Sequence, residues 1–334
     1  MKNVLFAIFS IVGTVIGSGF ISGKEIVVFF SRFGSFSFIG IFLMFFLFFF
    51  IFLFIFNHSN QILERLYSSK FAYYINLILC LIFSSAMYAG ISNIIAEFDF
   101  IFKLLIFFFV IFLNFLIYKN GLGSLGQINL FFIPFMVGFF VFNIISMIKT
   151  PVFQIKSNFN VFLSIFYAIL YLLLNVSNNC VLLGKLGQSL SKKQKTRVAF
   201  YSALVLFLIL LVANILLLQN QISFKQDMPI LSLFNGKQKF LMLLVVFAGC
   251  STTLFSLTYT LSFSMRGLCK NEFFIFIVSV LFPLILSLLG FGFIVSFLYP
   301  ISSALGAVLV ADLFFTPLFK RTYKKIHPCS KNTK

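Results

Sequence analysis

Gly13-Thr14-Val15-Ile16-Gly17-Ser18-Gly19-Phe20-Ile21-Ser22-Gly23-Lys24-Glu25 lies inside the first long apolar run of a 334-residue chain. Four glycines in eleven positions each weaken a helix by about 1 kcal/mol relative to Ala. The run around them is nevertheless long and apolar enough to cross a bilayer. A glycine cluster at membrane depth serves either close helix packing or an unwound segment lining a cavity. Gly13-x-x-x-Gly17 alone is the ordinary small-xxx-small packing pattern. Gly17-Ser18-Gly19 adds the case for a break, and a broken span frees N–H groups that can hold a carboxylate and carbonyls that can hold a cation.

The remaining sequence has the composition of a membrane protein. Hydrophobic residues make up 61% of the chain and charged residues 10%, against about half and about a quarter in soluble domains. Ten spans are expected, near residues 4–30, 35–56, 72–95, 101–118, 126–148, 159–183, 198–218, 239–265, 273–289 and 293–315. The fold class is therefore all-α integral membrane. A single transmembrane domain covers 1–320, followed by a basic tail at 321–334. No small-residue cleavage site follows the first run, so that span is expected to stay in the mature protein. The 55 Phe residues with no Trp reflect composition bias, and runs such as Phe45 to Phe56 mark no site.

Charge supplies the orientation. The net charge of +18 could suggest nucleic acid, but the Lys and Arg sit in short connections between spans, where membrane proteins carry their topology signal; no nucleic-acid partner is expected. With the N-terminus inside, 17 of the 25 basic residues fall on the cytoplasmic side, including Arg65, Lys185, Lys192, Lys193, Lys195, Arg197, Arg266, Lys270 and six between Lys320 and Lys334. The outer side takes Lys24, Arg32, Lys103, Lys149, Lys156, Lys225, Lys237 and Lys239, with Glu25, Glu97, Asp99 and Asp227. Both termini are thus expected in the cytoplasm. Ten spans divide as five plus five, and the odd number per half inserts the second half upside down. The halves would run over about 4–148 and 159–315, without clear residue identity between them.

The sixth span pairs with the first in such a repeat. It carries Tyr167, Tyr171, Asn175 and Asn178 at spacings of four, four and three, one polar stripe on a helix. Ser177 and Asn179 thicken it, and three Asn in five residues are expected to interrupt the helix. The same stripe also suits interhelical hydrogen bonding with no ligand. The third span has a similar row of Ser84 or Ser85, Tyr88 and Ser92, and the eighth has Ser251-Thr252-Thr253 after Gly249. Adjacent hydroxyls plus unwound carbonyls can coordinate Na⁺, although Ser and Thr in membrane helices also bond back to their own backbone. Asp312, near the end of the last span, is either a proton carrier or gate partner or an interfacial partner of Lys320 and Arg321. Lys24 and Glu25 could pair with each other or with a gate residue.

Enzyme chemistry is not expected. His58 and His327 lie in a loop and in the tail, and Cys80, Cys180, Cys250, Cys269 and Cys329 show neither metal-ligand nor triad spacing. No cofactor is expected beyond Na⁺ as a coupling ion.

Residues Ile11 to Phe33, with G-T-V-I-G-S-G-F-I-S-G-K-E followed by Phe29, Phe30, Arg32 and Gly34, resemble the YkvI-like membrane proteins of the amino acid/polyamine/organocation superfamily. The resemblance implies the leucine-transporter fold, with a five-plus-five inverted repeat and broken helices 1 and 6. It further implies backbone amides from Gly17, Ser18, Gly19 and Phe20 at a substrate carboxylate, with Tyr88, Tyr171, Asn175 and Asn178 lining the site. Carbonyls near Gly13 and Ile16 would meet Ser251, Thr252 or Thr253 at a sodium site. Lys24 departs from the family pattern, where this position is commonly uncharged. The expected function is secondary transport of a small solute, of the amino acid or organic amine class, driven by Na⁺ or H⁺. A ligand sensor of the same fold and a structural membrane protein are the alternatives. The partners are membrane lipid and a small solute, and nothing in the sequence speaks to oligomeric state.

Overall fold

The structure, a computed structural model, describes residues 2–96, 98–120, 122–148, 160–265 and 271–326. Of the charges counted above, Glu97, Lys149, Lys156, Arg266, Lys270, Lys331 and Lys334 lie outside the described residues, as do Cys269, His327 and Cys329. The described elements are all helical. Among the described residues, eight helices are long and apolar enough to cross a membrane: Ser31–Asn57, Lys70–Ile94, Gln127–Met147, Val161–Ser189, Lys192–Gln219, Gly236–Ser262, Glu272–Leu289 and Phe291–Phe315. Two shorter apolar helices, Asn3–Val15 and Phe100–Leu116, accompany them.

The first apolar run forms three pieces: α1 (Lys2–Val15), α2 (Ser18–Ile21) and α3 (Lys24–Phe29). The glycines explain where it divides. Gly17 is extended, with φ −91° and ψ −167°. Gly23 has φ +85°, a left-handed conformation that costs an L residue with a Cβ and suits glycine. A 3₁₀ stretch (Ser31–Phe36) then leads into α4 (Ser37–Asn57), and α5 (Ser59–Ser68) follows directly. The next helices are α6 (Lys70–Ile94), α7 (Phe100–Asn120), α8 (Leu122–Met147), α9 (Val161–Ser189), α10 (Lys192–Gln219) and α11 (Gly236–Met265). The described chain finishes with α12 (Glu272–Leu286), α13 (Phe291–Phe293) and α14 (Tyr299–Ile326).

Burial sorts centre from rim. Of the apolar stretches, α6 is 72% buried and α11 67%, while α8 and α12 are each 28% buried. Helix α6 packs along α11, and α4 packs between α9 and α10. Helix α1 touches α8, α9, α10 and α11, so the broken segment sits inside the bundle. One tie there escaped the sequence reading. Ser31 Oγ donates to Asn214 Oδ1 and Asn214 Nδ2 donates to Ser37 Oγ, both at 2.8 Å. The amide of one buried Asn on α10 thus anchors both ends of the 3₁₀ turn that redirects the chain into α4.

Two expectations need correction. Helix α9 is continuous through Asn175 to Asn179 and is not broken. The three amides bond back along their own helix: Asn175 Nδ2 to the Tyr171 carbonyl at 3.0 Å, Asn178 to Leu174 at 2.7 Å and Asn179 to Asn175 at 2.9 Å. Each donor is satisfied without unwinding a turn, so the polar run reinforces the helix it was expected to interrupt. The tail boundary also moves, because α14 runs on to Ile326, past residue 320.

Close packing of α9 depends on Gly187. A Cβ there would stand 2.9 Å from Phe56 Cα and 3.2 Å from the Phe56 carbonyl oxygen, backbone atoms that cannot swing aside. Gly187→Ala gains about 1 kcal/mol of helix propensity but overpacks the contact by about 1–3 kcal/mol. The expected net result is destabilisation, read as a lower melting temperature of the detergent-purified protein.

Candidate functional site

The interruption of the first span gathers polar groups from four helices. Because Gly23 turns the chain, α3 doubles back beside α2, and the Glu25 carboxyl lies against Gly19, where an added Cβ would collide with it. Glu25 is 3% exposed. Among the described residues no hydrogen bond or ion pair reaches its carboxyl group. Tyr171 of α9 and Tyr299 of α14 are its electrostatic neighbours. Both tyrosines are fully buried; among the described residues the Tyr299 hydroxyl has no hydrogen-bond partner, and the Tyr171 hydroxyl has only the neighbouring Asn175 side chain, in geometry too poor for a hydrogen bond. An unsatisfied buried hydroxyl costs about 1–3 kcal/mol, so two of them beside an unpaired carboxyl mark a place built for something else.

Local sequence explains how these tyrosines arrive. Tyr171 is held by Phe30, edge-on at 5.1 Å between ring centroids, and by Phe29 at 5.5 Å. Tyr299 follows a π-helical turn, Ile294–Leu298, and precedes Pro300. Proline removes one helical donor and its ring clashes with the preceding turn, and the wider π turn takes up the misfit, as it does at many functional sites. The Tyr299 ring then stacks on Phe83 of α6 at 4.3 Å. A lone Tyr-Pro in an apolar span was the only sequence signal for this residue.

The other expected residues divide between the break and its surroundings. Ser18 sits in α2 against α6, where its hydroxyl reaches the Ala86 carbonyl at 3.4 Å and where Gly90 leaves room for its Cβ. Phe20 faces Tyr171, Phe48 and Met44 around a void of about 10 Å³, room for about one water. Asn175 and Asn178 serve their own helix, although the Asn178 side-chain Oδ1 is buried without a partner. Tyr88 turns toward α7, with its ring 6.5 Å from Phe107.

At the proposed ion position the hydroxyl cluster splits. Thr253 Oγ1 donates to the Gly13 carbonyl at 2.9 Å, and the Ile16 carbonyl also faces α11, beside Gly249. Thr252 bonds back to the Gly249 carbonyl at 3.2 Å. Ser251 and Thr252 border an apolar crevice of about 750 Å³ between α7, α8 and α11, lined by Phe109, Phe132 and Phe255. Only Thr253 of the three meets α1 through a hydrogen bond.

The two remaining charged candidates sit at opposite ends of the bundle. Lys24 is 8% exposed and donates through Nζ to the Gln226 carbonyl at 2.9 Å, with Asp227 nearby. It belongs to a plug formed by the connection between α10 and α11. Ile230 in that connection donates its N–H to the Ser22 carbonyl at 2.8 Å and rests its side chain on Gly23. A recess of about 510 Å³ opens beside the plug, lined by Asn93, Lys225, Asp227 and Lys239. At the other end Asp312 accepts two hydrogen bonds from Arg65 of α5, at 2.7 and 3.0 Å. The sequence points to Lys320 and Arg321 instead, because 59–68 reads as a polar connection rather than as a helix packed against α14.

Fold and site together define an all-α, multi-pass membrane protein with an interrupted first span and a buried carboxyl at the interruption. No protein-family model matches the chain, and no curated protein matches it either.

Proposed function

We propose that the protein is a secondary transporter that moves a small solute by alternating access around the interrupted first span, driven by Na⁺ or H⁺. The observation that carries this reading is the buried Glu25 carboxyl, which no hydrogen bond or ion pair reaches among the described residues, next to the buried hydroxyls of Tyr171 and Tyr299 at the break. A structural protein gains nothing from three costly polar groups collected at one point, whereas a transporter needs a polar site that binds and then releases. Closure at two ends supports the same reading: the Lys24 end is covered by the connection carrying Ile230, and the Arg65–Asp312 pair clamps the other.

In this reading the ten apolar helices form a five-plus-five inverted repeat in the cell membrane with both termini cytoplasmic, as the distribution of basic residues and the YkvI-like first span support. Thr253 with the Gly13 and Ile16 carbonyls is the Na⁺ position. On ion arrival the Thr253 hydroxyl, which now donates to the Gly13 carbonyl, would turn its lone pairs inward. Ser251 and Thr252 take no part.

Net uptake into proteoliposomes under an imposed Na⁺ or proton gradient tests the proposal. Uptake driven by Na⁺ is expected to lose its Na⁺ dependence in Thr253→Val, which keeps the shape and removes the hydroxyl. Binding of solutes without net flux under either gradient would instead identify a ligand sensor.

A further inference from the structure

The same site also carries an inference about its ligand, which rests on the transporter reading just given. We propose that the ligand is a small organic amine lacking a carboxylate beside its ammonium group, and that Glu25 supplies that carboxylate from the protein. The resemblance places a substrate carboxylate at the amides of Gly17 to Phe20. In this structure that surface is already taken, because the Glu25 carboxyl lies against Gly19. The turn that brings it there is built in: Ser22 is helical, Gly23 has φ +85°, and Glu25 follows two residues later.

Charge decides the class. An unpaired buried carboxylate is costly, and a cation hydrogen-bonded to it and to neighbouring hydroxyls offsets part of that cost. A second carboxylate in the same space would add like-charge repulsion. No protein cation faces the Glu25 carboxyl among the described residues: Lys24 holds the Gln226 carbonyl beside Asp227, and Arg32 stacks over Tyr167 at 4.0 Å, one helical turn from Tyr171, with its Nε unpaired. The surroundings suit an ammonium group. The Tyr171 and Tyr299 hydroxyls can each accept from it, and the rings of Tyr171, Phe29 and Phe30 offer faces that attract a cation.

Matched pairs differing only in the carboxylate provide the test: tyramine against tyrosine, putrescine against ornithine, and isobutylamine against valine. The purified full-length protein is melted with each compound, since a ligand of the native state raises apparent stability. At least one amine is expected to stabilise the protein at a concentration about tenfold or more below its amino acid. In Glu25→Gln that response should weaken about 10–100-fold, the range for losing a hydrogen bond to a charged group, with ligand-free melting near wild type. Tyr299→Phe, which removes one hydroxyl and keeps the ring, should weaken it in the same direction if Glu25→Gln fails to fold. Amino acids that stabilise as well as their amines, or an amine response that survives Glu25→Gln, would overturn the amine class and leave the transporter reading standing. A panel silent on well-folded protein would overturn both the amine class and binding at the break.

Discussion

Gly19→Val is expected to cut uptake about 10–100-fold while the protein still folds. The added Cβ would meet the Glu25 carboxyl, carboxyl carbon and Cγ, which form the far end of a flexible side chain. That end can rotate away, so the stability cost should stay within the roughly 1–3 kcal/mol of an overpacked site. Once displaced, however, the carboxyl no longer faces Tyr171 and Tyr299. Losing a hydrogen bond to a charged group costs about 1.5–3 kcal/mol, so ligand response and flux should fall about 10–100-fold. Gly138 on α8 is the control. A Cβ there meets nothing within 4 Å. Gly138→Val should therefore retain flux where Gly19→Val loses most of it.

The second large effect is expected at Gly249. A Cβ there would run into the Ile21 side chain and stand 3.4 Å from the Ile16 carbonyl. Ile21 is fully buried, in an interior packed densely enough that displacing a side chain is costly. Gly249→Val should therefore push α11 away from the break, destabilising the protein by about 1–3 kcal/mol and separating Thr253 from the Gly13 carbonyl. Thermal melting reads the first consequence. The second appears as a loss of Na⁺ dependence in proteoliposomes that resembles Thr253→Val, although Gly249 bears no oxygen ligand of its own.

Much of the helical architecture was legible, because apolar runs of membrane-spanning length are the strongest signal a sequence carries. The division of the first span was legible too, since four glycines in eleven positions have no place in an uninterrupted helix. The sixth span misled for a physical reason. Asn is costly in lipid, but its side-chain amide can donate to the carbonyl four residues back, as Asn175, Asn178 and Asn179 all do. Composition therefore cannot separate a broken helix from a stapled one. The site itself was only partly legible. Glu25 stood six residues beyond Gly19 and read as a partner for Lys24 or for a gate residue, because the reversal at Gly23 that folds α3 onto α2 depends on one backbone angle. Tyr299 and Asn214 were missed because each is a single polar residue in an apolar stretch, and its partners come from distant parts of the chain. Helical registers mattered as well. Tyr88 faces α7 and Ser251 the apolar crevice, not the break.

The most direct test of alternating access is the side-resolved modification of Ser22→Cys, in a background lacking the other cysteines, by a membrane-impermeant maleimide added to either face of oriented proteoliposomes. Ser22 is fully buried at the break, with its hydroxyl on the Gly19 carbonyl and its own carbonyl on Ile230, so a reagent reaches it only when one end opens. Modification from one face under one ion gradient and from the opposite face when the gradient or ligand is changed is the expected result. Modification confined to a single face under every condition, or absent from both, would contradict transport through this site.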